Sequence, residues 1–374
     1  SLQRGRSKPR VGGSVNVGLA EGLPASIRIA DVATLARGRN ASDVHLTEGM
    51  PPILRVDGVL ERTAHAPVDA EELRDLARAL LGDAGVKRLD REGDVTATYA
   101  DPRTGRLRVH VFASGRVPAI AIRLLHRSVP TLGSLDVPPA LTGLAQERHG
   151  IVIFSGPTGS GKSTTMAAFV DCINDGSARR IVTVEDPVEY RHENRRSLVT
   201  QRELGCDTPS FSDALRGALR ADPDVIVVGE MRDSATVAGA LAAAQTGHLV
   251  ISTLHTGSAP QSVDRMVNAF AEHLRYDVRA QLANALVGIV CQHLLRRVHG
   301  RGRRAAFEIL IATDAVRSLI RDAKAHQLKN VMVTGSRYGM QTLEQHLEVL
   351  LRDREVDPEE ARRFGVREAC EPVA

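Results

Sequence analysis

Residues 156–163 have the sequence GPTGSGKS, which matches the phosphate-binding pattern G-x-x-x-x-G-K-[ST] at every position. Glycines in such a loop let backbone N–H groups turn toward phosphate, and the N-terminus of the following helix adds its positive dipole end. Lys162 can reach the β- and γ-phosphates, and the Ser163 hydroxyl can bind Mg²⁺. A glycine turn without a ligand is the alternative, but a strand-like run precedes the loop and a helical run follows it. The predicted contacts to ATP are Gly156, Pro157, Thr158, Gly159, Ser160, Gly161, Lys162, Ser163 and Thr164.

A second apolar run carries a carboxylate at each end, since residues 224–230 have the sequence DVIVVGE. A buried strand that delivers a carboxylate beside a phosphate loop suits the positioning of Mg²⁺ and water. Glu230 ends the run and is the candidate to orient or deprotonate the attacking water. A core strand with polar ends is the alternative, which the neighbouring phosphate loop disfavours.

A third run ends in a group of carboxylates, because residues 184–189 have the sequence VEDPVE. Carboxylates this close together are costly unless a cation or solvent meets them. We therefore assign Glu185 and Asp186 to the Mg²⁺ and water environment, together with Ser163, and keep Glu185 as a second catalytic candidate. An exposed acidic turn, with Pro187 ending the strand, is the alternative.

Two histidines flank a fourth run, TGHLVISTLHT at residues 246–256. His248 precedes the predicted strand and His255 follows it, so the two lie at opposite ends. A lone histidine is usually structural, but His255 beside the γ-phosphate can sense whether that phosphate is present. His255 is therefore a further candidate site residue.

The elements that position these residues alternate along the chain between strand and helix. This βα order predicts a parallel sheet with the nucleotide at the carboxyl ends of its strands. The pattern is helical after residue 312, so residues 141–374 are expected to form one domain with C-terminal helices. The predicted strands are 151–155, 181–184, 225–229, 249–253 and 306–311.

The chain before this domain divides into three further parts. Residues 1–26 are rich in Gly, Arg and Ser and predict a disordered extension. Residues 27–127 predict a smaller α+β domain, and the prolines and glycine of residues 128–140 predict a linker. Inside the smaller domain we expect a turn at Asp57-Gly58, a helix at 69–81, and strands at 43–47, 94–100, 106–113 and 117–125.

Composition limits the classes of function. The 374 residues carry a net charge of +4, with 43% hydrophobic residues, and contain no run of eighteen apolar residues that would cross a membrane. Aromatic residues make up only 3% of the chain, which disfavours stacking on single-stranded nucleic acid. No cysteine pair has zinc-binding C-x-x-C spacing, and free thiols in the cytosol are expected, at Cys172, Cys206, Cys291 and Cys370.

These motifs, in this order, resemble the secretion ATPase superfamily of type II secretion and type IV pili. Residues 41–46 and 51–58 resemble its N-terminal domain, and residues 220–233 its Walker B motif. The resemblance implies an α/β fold in which a RecA-like P-loop motor domain follows a smaller α+β, PAS-like N-terminal domain. It also implies a homohexameric ring that binds ATP and Mg²⁺ between subunits and couples hydrolysis of ATP to ADP and phosphate to mechanical work.

Two features resemble the retraction branch of this superfamily. The four-cysteine zinc site of the extension and secretion ATPases is missing, and residues 315–322 (AVRSLIRD) are similar to a retraction helix close to AIRNLIRE. The branch implies a motor for pilus retraction and twitching motility, located in the cytoplasm at the inner membrane. Its implied partners are a membrane platform protein and the extension ATPase. A pilus extension or type II secretion ATPase is the alternative, and a nucleic-acid translocase is a disfavoured third.

Arg317 and Arg321 are four residues apart and share one face of that helix, a spacing that suits docking or the transmission of motion. An ordinary amphipathic helix is the alternative for this segment.

The superfamily also places arginines of the N-terminal domain on the phosphates across the subunit interface. The candidates are Arg108, Arg116 and Arg123, since arginine can bind phosphate with two donors. Surface arginines are the alternative. The basic run RRVHGRGRR at residues 296–304, between a predicted helix and a strand, predicts a solvated hairpin, with contact to anionic lipid as the alternative.

Overall fold

Most of the chain is placed by the structure, which is a computed structural model. The extension predicted for residues 1–26 lies outside the described residues, as do Cys370 and residues 299–301 of the basic run. No helix in the described part of the chain is both long enough and apolar enough to cross a bilayer. The described residues are 28–101, 105–125, 128–298 and 302–365.

Contacts within the chain divide it into two compact units. The first comprises Ser1–Ala97 and Val109–Ile122, and the second comprises Thr98–Arg108 and Arg123–Ala374. The strands of the first sheet are β1 (Ala41–Leu46), β2 (Ile53–Val56), β3 (Val59–Arg62), β4 (Asp94–Asp101), β5 (Gly105–Ser114) and β6 (Val117–Leu124). Their order in the sheet is β3-β2-β1-β6-β5-β4.

The turn predicted at Asp57-Gly58 is confirmed. Val56 pairs with Val59 across the antiparallel β2–β3 hairpin. Asp57 has φ 47° and Gly58 has φ 87°. Positive φ at both central residues is what a two-residue hairpin turn requires.

Two helices accompany this sheet, α1 (Ile29–Gly38) and α2 (Ala70–Glu92). Asp69 begins α2 as a capping box, because its carboxylate accepts from Glu72 N at 2.9 Å and the Glu72 carboxylate accepts from Asp69 N at 2.9 Å. Gly82 has φ 65° and interrupts the helix. The predicted helix at 69–81 therefore covers only the part before this interruption.

The second sheet has seven strands in the order β13-β12-β7-β11-β10-β8-β9. Every neighbouring pair is parallel except the antiparallel pair β12–β13. The five predicted strands are confirmed, but the expected parallel pairing of the last one is wrong. The strands are β7 (Gly150–Ser155), β8 (Arg180–Glu185), β9 (Leu198–Glu203), β10 (Val225–Val228), β11 (Leu249–Thr253), β12 (Leu286–Arg296) and β13 (Arg303–Ile311).

Two of these strands were not predicted. β12 was expected to be helical, but its apolar run is buried as a strand, and such runs suit either structure. β9 is an edge strand with polar, partly exposed side chains and so lacks an apolar run. The prediction that a helix precedes the basic run is therefore wrong.

Helices cover both faces of the seven-stranded sheet. Ile151 and Ile153 of β7 pack into one apolar cluster, and Val152 and Phe154 pack into another on the opposite face. Burial of both faces explains why the central strands are continuous apolar runs. The helices are α3 (Ala140–Leu144), α4 (Lys162–Gly176), α5 (Phe211–Ala218), α6 (Ser234–Gln245), α7 (Ala259–Asn268), α8 (Arg275–Ala285), α9 (Asp314–Arg321), α10 (Leu328–Thr334), α11 (Leu343–Arg352) and α12 (Pro358–Arg362).

Candidate nucleotide site

The phosphate loop joins β7 to α4, as its sequence predicts. Gly156 has φ 141°, and a Cβ at this position would lie 2.2 Å from the backbone oxygen of Gln292 in β12. Gly161 has φ 85°, and its Cβ would lie 2.8 Å from Nε2 of the same glutamine. Only glycine allows this backbone to approach β12 so closely. The phosphate loop therefore packs closely against β12, a strand that was not predicted from the sequence.

Lys162 is the first residue of α4, and only 7% of it is exposed. Its ammonium group donates to Gly156 O at 2.7 Å and to Pro157 O at 2.9 Å. Burial lowers the pKa of this lysine, and the nearby carboxylates of Glu189 and Glu230 act in the opposite direction. The ammonium group is therefore held by carbonyl oxygens of the loop itself.

A cavity of about 540 Å³ opens in front of the loop. It lies at the carboxyl ends of β8, β10 and β11, where a parallel sheet is expected to bind its ligand. Gly156, Pro157 and Ser160 belong to the loop without lining this cavity. The other predicted site residues that line it are Thr158, Gly159, Gly161, Lys162, Ser163, Thr164, Glu185, Asp186, Glu230, His255, Arg108 and Arg123.

Glu230 follows β10 and has a mostly buried side chain, 14% exposed. One carboxylate oxygen lies 3.4 Å from His255 Nε2, and the other forms an ion pair with Arg232. This pairing raises the pKa of the Arg232 guanidinium. Asp224, at the opposite end of β10, instead accepts from Arg180 N at 2.7 Å. Only Glu230 of these two carboxylates reaches the cavity.

The histidines lie as predicted. His248 precedes β11, and its Nδ1 lies 2.9 Å from Ala243 O. It therefore lies at the opposite end of the strand from the cavity. His255 follows β11 and lines the cavity, with 53% of its side chain exposed. The structure therefore brings His255, and not His248, to the carboxylate of Glu230.

Glu185 ends β8 and is held by hydrogen bonds. Its Oε1 accepts from Thr183 Oγ1 at 2.7 Å and from Gln201 Nε2 at 3.1 Å. Burial raises the pKa of this carboxyl, and the two hydrogen bonds oppose that effect. The neighbouring Asp186 is exposed and makes the more accessible oxygen ligand.

The three candidate arginines belong to different units. Arg108 and Arg123 belong to the second unit and line the cavity. Arg116 belongs to the first unit and is exposed in the turn between β5 and β6. Its predicted contact with phosphate remains a prediction.

The described arginines of the basic run mostly form ion pairs, and Arg304 is buried. Arg296 lies 3.6 Å from Glu360. Arg304 lies 2.6 Å from Glu355 and 3.1 Å from Asp136. These carboxylates compensate the positive charge that suggested contact with lipid.

Arg303 is the member of this run that the sequence analysis missed. It begins β13, donates from Nη1 to Gly159 O of the phosphate loop at 3.3 Å, and lines the cavity. The sequence of the basic run did not indicate the contact with Gly159, because this contact depends on the pairing of β13 with the unpredicted β12. Arg303 adds a cation to the rim of the site.

Tyr190 is a second residue that was missed. It is 3% exposed, and its hydroxyl lies 2.8 Å from Thr164 Oγ1 in the first turn of α4. Burial raises the pKa of Tyr190 to about 12, so the phenol stays neutral near pH 7. This contact ties the acidic segment after β8 to the helix that carries Lys162 and Ser163.

We expect Arg303→Ala to weaken nucleotide binding by about tenfold to a hundredfold, the usual value of a charge-assisted hydrogen bond. Titration with a fluorescent ATP analogue measures the effect. Arg296→Ala is the matched control, because it removes the same charge from the same hairpin at a residue paired with Glu360. Equal affinities of the two variants would remove Arg303 from the site.

Known proteins are similar to this chain in sequence and in fold. Residues 24–356 match the family model of type II/IV secretion system proteins. The chain belongs to this family. The resemblance inferred from the motifs is confirmed.

Members of the family with known roles are similar over most of their length. A twitching motility protein of Neisseria gonorrhoeae is 43% identical over 312 residues, 83% of each chain. The type IV pilus retraction ATPase PilT of Pseudomonas aeruginosa is 39% identical over 334 residues, 89% of this chain and 97% of that protein. A crystal structure of the pilus retraction motor PilT with bound ADP superposes with a TM-score of 0.82 at 38% identity, covering 93% of this chain and 98% of that one. The predicted α/β fold class, an N-terminal domain followed by a RecA-like ATPase domain, is confirmed.

Proposed function

We propose that this chain is an ATPase that powers the retraction of type IV pili and hence twitching motility. The observation that carries the proposal is the shared cavity of the phosphate loop, Glu230 and His255, in a chain 39% identical to a PilT retraction ATPase along almost all of that protein. The membership of the family supports ATP hydrolysis. The PilT matches favour retraction over extension or secretion.

Each predicted residue then has a distinct task. The loop amides and Lys162 bind the phosphates of ATP, and Glu230 takes the proton of the attacking water. His255 lies against Glu230, where it can orient that carboxylate or respond to the γ-phosphate. Arg108 and Arg123 supply positive charge for the transition state.

The oxygen ligands in the cavity fit Mg²⁺. Ser163 offers a hydroxyl at the start of α4, Asp186 offers an exposed carboxylate, and both line the cavity with Glu185. Hydroxyl and carboxylate oxygens are the ligands that Mg²⁺ prefers in nucleotide sites. Bound Mg²⁺ would neutralise charge on the phosphates. Because Glu185 is already held by Thr183 and Gln201, Ser163 and Asp186 are the residues that we expect to hold it.

The chain is expected to work as a homohexamer in the pilus machine. Arginines of one subunit would then complete the site of the next, with Arg116 the described candidate outside the cavity's own unit. A platform protein at the inner face of the cytoplasmic membrane would receive the motion, and the extension ATPase would be a second partner. The similarity to a pilus retraction ATPase and a pilus retraction motor supports a place in the pilus machine.

The two arginines of helix α9, the proposed docking element, have different surroundings. Arg317 donates from Nη1 to Ala283 O and to Asn284 O, the latter at 2.9 Å, and so binds the C-terminal end of α8. Val316 and Ile320 are buried on the inner side, whereas Arg321 is exposed. Arg317 therefore contacts α8, which suits the transmission of motion, and Arg321 is the arginine of this face that remains a candidate for docking.

We expect Arg321→Ala to leave ATP hydrolysis and thermal stability unchanged and to reduce retraction. Arg317→Ala should instead lower the free energy of unfolding by about 1 kcal/mol, because it releases the carbonyl groups at the end of α8. Thermal melts, phosphate release and retraction in a complemented strain separate the two variants. Normal retraction with Arg321→Ala would exclude this residue as a docking contact.

Phosphate release by the purified full chain tests the proposed activity. We expect hydrolysis that is the same with and without DNA. Absence of phosphate release would contradict the ATPase assignment. Strong stimulation by DNA, lost as salt rises, would point to a nucleic-acid translocase instead.

A further inference from the structure

The loop between β11 and α7 is held by side chains of the strands beneath it. Ser155 Oγ in β7 donates to Thr256 O at 2.6 Å, and the Cys291 thiol in β12 donates to the same oxygen at 3.5 Å. The next carbonyl oxygen, that of Gly257, lies 3.2 Å from His293 Nε2. Two successive peptides of this loop are therefore fixed to the sheet.

The tautomer of His293 follows from its surroundings. Burial lowers the pKa of this imidazole, so it is neutral near pH 7. A carbonyl oxygen can only accept, so Nε2 carries the hydrogen that is donated to Gly257 O. The contact is therefore a hydrogen bond between neutral groups.

Three hydroxyl groups join the same loop to the first turn of α7. Thr256 Oγ1 lies 2.7 Å from Ser262 Oγ, and Ser262 Oγ lies 2.9 Å from Ser258 O. Ser155 and Ser262 are fully buried, whereas Thr256 is half-buried. The distances allow each hydrogen one acceptor: Ser155 donates to Thr256 O, Thr256 to Ser262 Oγ, and Ser262 to Ser258 O.

His255 depends on this arrangement for its position. Its imidazole is 53% exposed, so packing does little to orient it. Its Nε2 nevertheless lies 3.4 Å from the mostly buried carboxylate of Glu230. Thr256 is adjacent to His255 and its backbone is fixed by hydrogen bonds. The position of the imidazole beside that carboxylate therefore depends on Thr256.

We propose that Thr256 is a positioning residue for hydrolysis: bonded to Ser155 and Ser262, it keeps His255 against Glu230. The inference rests on the proposed ATPase activity and assigns a role within it. Because Ser262 belongs to α7, a displacement of this helix would reach His255 through the same hydroxyl group. Thr256 thus links the packing of α7 to turnover without touching the nucleotide.

Thr256→Val tests this role, because it keeps the shape of the side chain and removes its hydroxyl. We expect kcat to fall about tenfold or more, the effect of a small misplacement in an active site, while KM and the Kd for a fluorescent ATP analogue stay within about twofold. Thr256→Ser keeps the hydroxyl and should restore kcat. Ser197→Ala is the matched control: it also removes a buried hydroxyl, which donates to Ser177 O at 2.5 Å, and it should lower stability without lowering kcat.

A double-mutant cycle identifies the residue through which Thr256 acts. In a His255→Ala background, Thr256→Val should cause no further loss of kcat, since the imidazole that it positions is gone. Losses that multiply would show that Thr256 acts independently of His255 and would overturn the proposal. Unchanged kcat in Thr256→Val, or an equal loss in Ser197→Ala, would overturn it as well. A wild-type protein without phosphate release would instead refute the ATPase assignment, and this role with it.

Discussion

Lys162→Ala is expected to abolish nucleotide binding and ATP hydrolysis while the protein stays folded. Lys162 places a buried positive charge on the phosphate loop, bonded to Gly156 O and Pro157 O. Alanine removes that charge, and loss of a preorganised group that stabilises transition-state charge costs about a hundredfold or more in turnover. Alanine leaves the two carbonyl oxygens without this donor, which costs about 1 kcal/mol each, but it also removes an unfavourable buried charge, so the protein should remain folded with at most a modest loss of stability.

Phosphate release, ATP titration and a thermal melt on one preparation measure the three effects. Lys324→Ala is the control, since it removes an exposed lysine whose ammonium group lies 3.5 Å from Asp322. A Lys162→Ala protein that is folded and hydrolyses ATP at the wild-type rate would show that the loop does not bind the reacting phosphates.

Glu230→Gln is expected to bind ATP normally and to hydrolyse it at least about a hundredfold more slowly. The amide keeps the size and polarity of the side chain but cannot accept a proton from water. Binding should survive because the loop and Lys162 are unchanged. The separation of affinity from turnover distinguishes this variant from Lys162→Ala.

Asp224→Asn is the matched control for Glu230→Gln. It makes the same change of carboxylate to amide at the other end of β10, where the oxygen can still accept from Arg180 N. Single-turnover phosphate release with bound ATP should be slow only in Glu230→Gln. Near wild-type turnover in that variant would move the role of base to Glu185.

The core of the site could be predicted because its residues belong to short motifs that can be recognised in the local sequence. The phosphate loop is defined by the spacing of its glycines and Lys162. Glu230 and His255 follow apolar runs that are buried on both faces, and such runs predict where parallel strands end. The order of strands and helices alone was therefore enough to predict the edge of the sheet at which these residues meet.

The remaining parts depend on tertiary pairing that no local pattern reveals. β12 is an apolar run that suits helix or strand. Without it, neither the antiparallel pairing of β13 nor the contact of Arg303 with Gly159 could be predicted. Ser155 and Thr256 are 101 positions apart in the chain. The spacing of Arg317 and Arg321 predicted one helix face but not that α8 would occupy part of it.

Pilus retraction in a strain that lacks its own retraction ATPase is the most direct test of the proposed motor. The wild-type protein and Glu230→Gln should be produced at equal levels, and the force or speed of single pili should be recorded. We predict retraction with the wild-type protein and none with Glu230→Gln, because only the first completes the hydrolysis cycle. Retraction of equal speed with both proteins, or none with a wild-type protein that hydrolyses ATP in vitro, would contradict the assignment as a retraction motor.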